Sequence, residues 1–452
     1  MEEPGSGRAL SHQGSQVRAA RRTHMHFTFR TAGESHGRGL VAVIEGVPAG
    51  LALDAERDID AELARRQGGY GRGARMKIER DRIDVLAGIR LGETIGAPIA
   101  LLLWNRDWDN WRAAMAPERP GPAADEEALR RVHLPRPGHA DLVGVLKYER
   151  EDARDVLERA SARETAMRVA AGAVAKRLLA ELGVTVGSHV VSFGGVRVSS
   201  PSAWPDDINA IADRSPVRVL DGEAEALVIE AIDAAAADGD TLGGVFEIVI
   251  RGLPVGLGSY AAADRRLDGR LAGALMSIQA MKGVEIGLGF AASDRRGSAV
   301  HDEIESDPGL RRTGGYRRLG NNAGGLEGGM TTGEPLVARV AMKPLSTLMK
   351  PLRSVDLRSD EPAAAIRERS DVAALAAAGV VGEAVAAAVA ADAMLEKFGG
   401  DSMAETRRNL EGYLDQLARR GERLRSGGAR ESGRRGEGAR GYESGIDPAA
   451  QG

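Results

Sequence analysis

The stretch SARETAMRVAAGAVAKRLLAELG, from Ser161 to Gly183, decides how this chain is read. Ser161 with Glu164 three residues later forms a capping box and Gly183 supplies a stop, so a helix is predicted over 162–182. Ala166, Val169, Ala170, Ala173, Val174 and Leu178 recur at helical spacing, and such small side chains let a second helix approach closely. Leu271 to Met281 predicts another apolar helix. The Ala-rich segment from Val372 to Phe398 predicts a third, read as broken near Gly379 and Gly382. That much apolar helix needs covering layers, and helices buried between sheets are the economical solution.

The strands for those layers are visible. His26 to Phe29 alternates after Met25. Leu40 to Ile44 is a short apolar run closed by Gly46-Val47-Pro48-Ala49-Gly50, and Val245 to Ile250 is closed by Gly252-Leu253-Pro254-Val255-Gly256. The match of Ile44–Leu51 to Ile250–Leu257 points to an internal duplication; the alternative is that Gly-x-Pro-x-Gly is simply a common turn.

Outside these elements, residues 1–24 and 421–452 lack apolar periodicity and read as a disordered extension and a disordered charged tail, which leaves 25–420 as one folded domain. The stretch 117–127 reads as an exposed loop. With 43% hydrophobic and 28% charged residues and a net charge of -4, the chain is globular and is not a dedicated nucleic-acid binder; aromatics at 4% argue against base-stacking platforms. The absence of cysteine excludes disulfides, thiolate nucleophiles and iron–sulfur clusters. His12, His24, His26, His133, His189 and His301 have no metal-ligand spacing, so no metal is expected. No signal peptide is legible and no apolar run is read as approaching the ~20 residues of a membrane helix, so the expected compartment is the cytoplasm.

Chemistry must then come from polar turns. Gly33-Glu34-Ser35-His36-Gly37-Arg38 and Arg136-Pro137-Gly138-His139-Ala140-Asp141 each hold a histidine in a Gly-flanked turn, either as a satisfied surface group or as a proton donor facing a cavity. The segment Arg65 to Lys77, with Arg66, Arg72 and Arg75, reads as a Gly-rich basic loop: a solvated surface or a site for phosphate and carboxylate. Arg159, Ser161 and Arg163 stand at a helix start, where unpaired N–H groups favour an anion, although Ser161 can be only a cap. Asn321 to Gly333 offers backbone against which a flat ligand could lie, and Lys343 to Thr347 offers a cation and two hydroxyls. Asp371 stands where an aspartate commonly caps a helix.

Taken together, Thr31–Gly39, Arg136–Asp141, Arg159–Thr165 and Asn321–Gly333 resemble the chorismate synthases, over roughly residues 25–420. The resemblance implies an α+β fold of central helices sandwiched between antiparallel sheets, and a lyase that converts 5-enolpyruvylshikimate 3-phosphate to chorismate and phosphate with reduced FMN. By that likeness His139 would protonate the reduced flavin near N1, His36 the departing phosphate, and Asp371 would help flavin N5 take up the C6 hydrogen. Arg159, Ser161, Ala162, Arg163, Gln279, Ala280, Gly328, Lys343, Pro344, Leu345, Ser346, Thr347 and Arg369 match flavin contacts; Arg66, Arg72 and Arg75 match contacts to the substrate or to NADPH.

Two positions depart from the common family pattern, Ser370 in place of His and Gln279 in place of Asn, and neither removes a proposed acid or base. The likeness also implies a homotetramer, served by an external flavin reductase or reducing its own flavin with NADPH. No nucleic-acid or membrane partner is expected. The rival reading from residues alone is a non-enzymatic anion or RNA binder, which the acidic net charge and scarce aromatics disfavour.

Overall fold

The computed structural model describes residues 26–73, 80–119, 121, 125–199, 203–368 and 371–432. Two antiparallel sheets share one plan. The first contains β1 (Thr28–Ala32), β2 (Gly39–Glu45), β3 (Ile83–Ala87) and β4 (Ile99–Trp104) in the order β1-β2-β4-β3. In the second, β5 (Thr185–Phe193), β6 (Gly244–Arg251), β7 (Met281–Ile286) and β8 (Leu336–Met342) stand in the order β5-β6-β8-β7, with a short strand, Val196–Arg197, added beside β5.

The helices repeat the plan. Helix α1 (Ala61–Gln67) joins β2 to β3; α2 (Asp141–Tyr148), α3 (Arg154–Ala160) and the long α4 (Thr165–Glu181) follow β4. In the second half α5 (Leu267–Met276) joins β6 to β7, and the long α6 (Leu375–Phe398) follows β8, with α7 (Met403–Ser432) closing the described chain.

The duplication is real at the level of atoms. Thr94 Oγ1 donates to Pro48 O at 2.6 Å and accepts from Leu51 N at 3.0 Å. Thr331 Oγ1 repeats both bonds in the second half, to Pro254 O at 2.6 Å and from Leu257 N at 2.8 Å. Each clasp ties the turn after the second strand to the segment that leads into the last strand, and such a coincidence of bonds is beyond what a shared turn type requires.

Helices α4 and α6 cross inside the sandwich, α4 against strands of both sheets and α6 against β5 and β6. A Cβ at Gly172 of α4 would lie 2.3 Å from the Ala384 Cβ of α6, so the crossing needs glycine. The same reason corrects the expected break in α6, which runs unbroken. A Cβ on Gly379 would sit 2.9 Å from Ser188 Oγ and one on Gly382 2.4 Å from the Phe246 ring, so these glycines bring the helix close to the sheet.

Helix α6 also corrects the reading that no apolar run reaches membrane-spanning length: it is long and apolar enough, but 94% of its most apolar window is buried inside the protein. Its middle carries a fully buried carboxylate. Buried Glu383 accepts from Arg65, Lys176 (2.8 Å), Arg218 (3.0 Å), Ser188 (2.7 Å) and Asn209 (3.1 Å). Burial opposes its ionisation, yet Lys176, Arg65 and Arg218 hold its carboxyl well below the usual range.

Other boundaries move. Ser161 caps not the helix itself but a 3₁₀ turn, Ala162–Glu164, that leads into α4. The helix expected over 271–281 is α5, which ends at Met276 because the chain turns sharply at Ala280, with φ +69°. The tail boundary at 420 falls inside α7: a helix anchored by buried Leu410 and Leu414 propagates at little cost, so 421–432 continue it. Residues 1–25 and 433–452 lie outside the described residues.

Candidate active site

The β1–β2 turn presents His36. Asn105, just past β4, donates to Glu34 O (3.2 Å) and Gly37 O (2.8 Å) and so fixes the turn. His36 Nδ1 lies 3.0 Å from both carboxylate oxygens of Glu158 on α3, and the His36 N–H donates to Glu158 Oε2 at 2.8 Å. The ring stacks on Trp111, with centroids 3.8 Å apart and planes 22° apart. Burial works against the Glu158 charge, but bonds from His36 and the Arg154 guanidinium (2.8 Å) keep its carboxyl below the usual range. Glu158 therefore remains an anion that holds His36 by Nδ1 and turns Nε2 away from itself.

A second histidine is held in the same manner. His139 Nδ1 meets Asp141 Oδ1, and Asp141 also accepts from Arg136 N (3.0 Å), Nε (2.9 Å) and Nη2 (3.1 Å). Asp141 is fully buried; burial would raise its proton affinity, and His139 with Arg136 push it far below the ordinary value. Arg136 reaches on to Thr347 Oγ1 at 2.9 Å, which joins the Lys343–Thr347 segment to the His139 turn. Lys343 N donates to Ala280 O at 3.0 Å, and Thr241 Oγ1 donates to Leu345 O at 2.7 Å. Burial and neighbouring Lys282 lower the Lys343 ammonium's proton affinity.

The arginines divide by placement. Arg65 and Arg66 lie in the last turn of α1 and not in a loop, which corrects the reading of 65–77 as one basic loop. Arg65 turns to Glu383 and Asp213, away from both histidines' carboxylates. Arg66 is buried, donating to Thr165 Oγ1 and Ala162 O at 3.0 Å each, and its Nη1 has no hydrogen-bond acceptor among the described residues. Burial pushes it down to about 10 despite Asp81.

Arg163 pairs with Asp81 (2.7 Å) and donates to Asn105 Oδ1 (3.1 Å), so it supports the His36 turn. Arg159 donates to Gly33 O (3.1 Å) and to Thr31. Arg72 pairs with Asp371 at 3.2 Å, and Gly73 N donates to the same carboxylate at 2.6 Å, so Asp371 faces the basic segment and does not cap α6. Arg75 and Arg369 lie outside the described residues.

Gln279 Nε2 donates to Glu164 at 3.1 Å, while its buried Oε1 has no partner among the described residues. Gly328 stands apart. Gly329 O accepts from Leu267 N at the start of α5, whereas Gln279 lies beyond its end, roughly 15 Å along the helix. A Cβ at Gly329 would strike Arg266, but one at Gly328 would meet only Met330 Cε at 3.9 Å, so that backbone is open.

The family model for chorismate synthase matches residues 27–395. The chain belongs to the chorismate synthase family. It is 57% identical over 394 residues to the chorismate synthase of Symbiobacterium thermophilum, covering 87% of this chain and all of that one. It is 55% identical to the enzyme of Geobacter sulfurreducens, over 86% of this chain and 98% of that one. A crystal structure of a chorismate synthase superposes with a TM-score of 0.69 at 42% identity, over 87% of this chain and 98% of that one.

Within this family member, sequence reading missed Glu158, Asp141, Arg154 and Trp111. Asp141 was legible, since a carboxylate two residues after a turn histidine can reach its Nδ1. Glu158 lies 122 residues from His36, and only the fold brings the two together.

Proposed function

We propose that His36 and His139 are the proton donors, and Asp371 the group serving removal of the C6 hydrogen, in the reaction of this family. The chain is a carbon–oxygen lyase that eliminates phosphate from 5-enolpyruvylshikimate 3-phosphate in the 1,4-anti sense to give chorismate, the last step of the shikimate pathway. The observation that carries the assignment is that each histidine is bound at Nδ1 by a buried, ionised carboxylate. That arrangement stabilises the imidazolium and directs its other N–H outward, as a general acid requires.

His36 supplies a proton from Nε2 to the oxygen that leaves with phosphate. His139 holds a proton at Nε2 toward the cofactor. Arg72 and the Gly73 N–H orient the Asp371 carboxylate for the hydrogen lost from C6. Gln279 Oε1, a buried acceptor without a partner among the described residues, and half-buried Lys343 suit a polar, anionic cofactor such as FMN. Held there, reduced FMN would supply electron density for the breaking of the C–O bond. Arg159, Ser161, Ala162, Arg163, Ala280, Pro344, Leu345, Ser346, Thr347 and Arg369 would complete its site; Gly328, matched to the flavin by family likeness, lies apart from them. Arg66, Arg72 and Arg75 would hold the anionic groups of the substrate, or NADPH where the protein reduces its own flavin.

We also place the protein in the cytoplasm as a homotetramer. Val43 and Trp104, exposed on strands whose flanking residues are buried, support association. An anaerobic assay with chemically reduced FMN, repeated with NADPH plus oxidised FMN, tests both cofactor readings. Arg72→Ala is expected to weaken substrate binding by roughly 2–4 kcal/mol and flavin binding much less. Equal loss of both would move the arginine to the flavin.

A further inference from the structure

The two histidines belong to two copies of one unit: imidazole, buried carboxylate, arginine. His36 joins Glu158 and Arg154, and His139 joins Asp141 and Arg136. Between the two arginines stands Glu368. Its Oε1 lies 3.5 Å from Arg154 Nη2 and its Oε2 3.7 Å from Arg136 Nη1. The arginine side chains are 7% and 8% exposed and Glu368 26%, so the bridge closes the outer side of an otherwise buried ionic set. Glu368 stands seven residues ahead of α6, as Glu158 stands seven ahead of α4.

We propose that Glu368 is a positioning residue, the shared counter-ion through which the two histidine units take up their protons as one electrostatic set. With both imidazoles neutral, Arg154 and Arg136 against Glu158, Asp141 and Glu368 leave one net negative charge. One imidazolium can therefore form without excess charge. Without Glu368 the same set is neutral, and each protonation builds positive charge beside two buried guanidinium groups. Other charged groups nearby, among the described residues, include Asp152, which accepts from Arg154 N at 2.9 Å, Glu34 in the His36 turn, Arg130 over the Trp111 ring, and Lys343 beside Gly138, with Lys282 behind it. None of these bridges the two arginines.

The test is Glu368→Gln in the full chain, with the imidazole ring protons titrated by NMR and the His36 and His139 signals identified by their loss in His36→Ala and His139→Ala. Both imidazoles are expected to titrate at lower pH than in the parent chain, each proton affinity falling about two- to fivefold, with His301 as an unmoved reference. Glu368→Asp, which keeps the charge, should recover most of the effect. The basic limb of the kcat profile should move to lower pH in step, with KM little changed.

A shift confined to one histidine, or to neither, overturns the link. The kinetic arm alone rests on the proposed proton-donor roles: if both imidazoles shift while the kcat profile stays fixed, the roles fail and the link stands.

Discussion

Replacing Asp141 by Asn changes one atom and removes one charge, at a side chain whose two oxygens serve different partners. Asp141 Oδ2 receives Arg136 N and Nε, and Oδ1 receives His139 and Arg136 Nη2. An asparagine has only one oxygen. Facing it toward Arg136 N and Nε keeps two of the four bonds, but it sets the amide NH₂ against Arg136 Nη2 and toward His139 Nδ1, which must then accept. The ring is forced into the tautomer with its proton on Nε2, and the imidazolium, which needs N–H at both nitrogens, meets a donor in place of an anion. The acid form is lost, and turnover should fall about 10²–10⁴-fold.

Stability should fall as well. Arg136 is buried and loses its bidentate counter-ion, and removing one partner of a buried pair typically costs about 3–5 kcal/mol. Glu368 at 3.7 Å still faces the guanidinium and places the loss near the lower end. The assay is anaerobic chorismate formation with excess reduced flavin, set beside urea unfolding of the same protein. Turnover within a few-fold of the parent, in a variant destabilised as expected, would refute the claim that Asp141 sets the protonation of His139.

The remaining expectations concern the frame. Thr94→Val and Thr331→Val each remove one donated and one accepted bond from equivalent clasps, so each should cost about 1–3 kcal/mol in chemical denaturation. Unequal costs differing by more than the spread of such values would argue that the two halves are not equivalent. Glu383→Gln should destabilise by about 3–5 kcal/mol, because Arg65, Lys176 and Arg218 lose their common anion. The carboxyl of Glu383 is depressed in the folded protein, so its contribution is present above the ordinary glutamate range and lost as pH falls toward the folded value. The variant's stability should accordingly depend less on pH on the acid side, as acid-side urea titrations would show.

Much of the frame was legible because its signals are local. The cap at Ser161, the small-residue spacing of α4 and the paired Gly-x-Pro-x-Gly turns lie within single windows of sequence. Two of the misreadings share a cause: a tertiary partner outweighed a local rule. Gly379 and Gly382 looked like breaks because nothing nearby in sequence announces Ser188 or the Phe246 ring against which they pack. Arg66 looked like loop charge because the carbonyl and hydroxyl that bury it come from residues 162 and 165. The histidines were found by their glycines, but the carboxylates that bind them at Nδ1 were not, since one contact spans 122 residues and the other was hidden within its own motif.

The duplication explains where the site lies. Each half ends with a strand, β4 or β8, then a long excursion, then a central helix, α4 or α6. The excursion after β4 carries Trp111, Arg136, His139, Asp141, Arg154 and Glu158, and the excursion after β8 carries Lys343, Thr347, Glu368 and Asp371. Arg136 bonds Thr347, Arg154 and Arg136 both face Glu368, and Arg72 of the first half faces Asp371 of the second. Every one of those contacts crosses between halves. Two copies of a simple unit, packed through α4 and α6, bring two different excursions to one place. The frame stayed symmetric where the threonine clasps and the helix crossing demand it. It diverged in the connections: in the excursions that hold the histidines and Asp371, and between β5 and β6, where the second half adds helices Ile208–Ala212 and Gly222–Ala237.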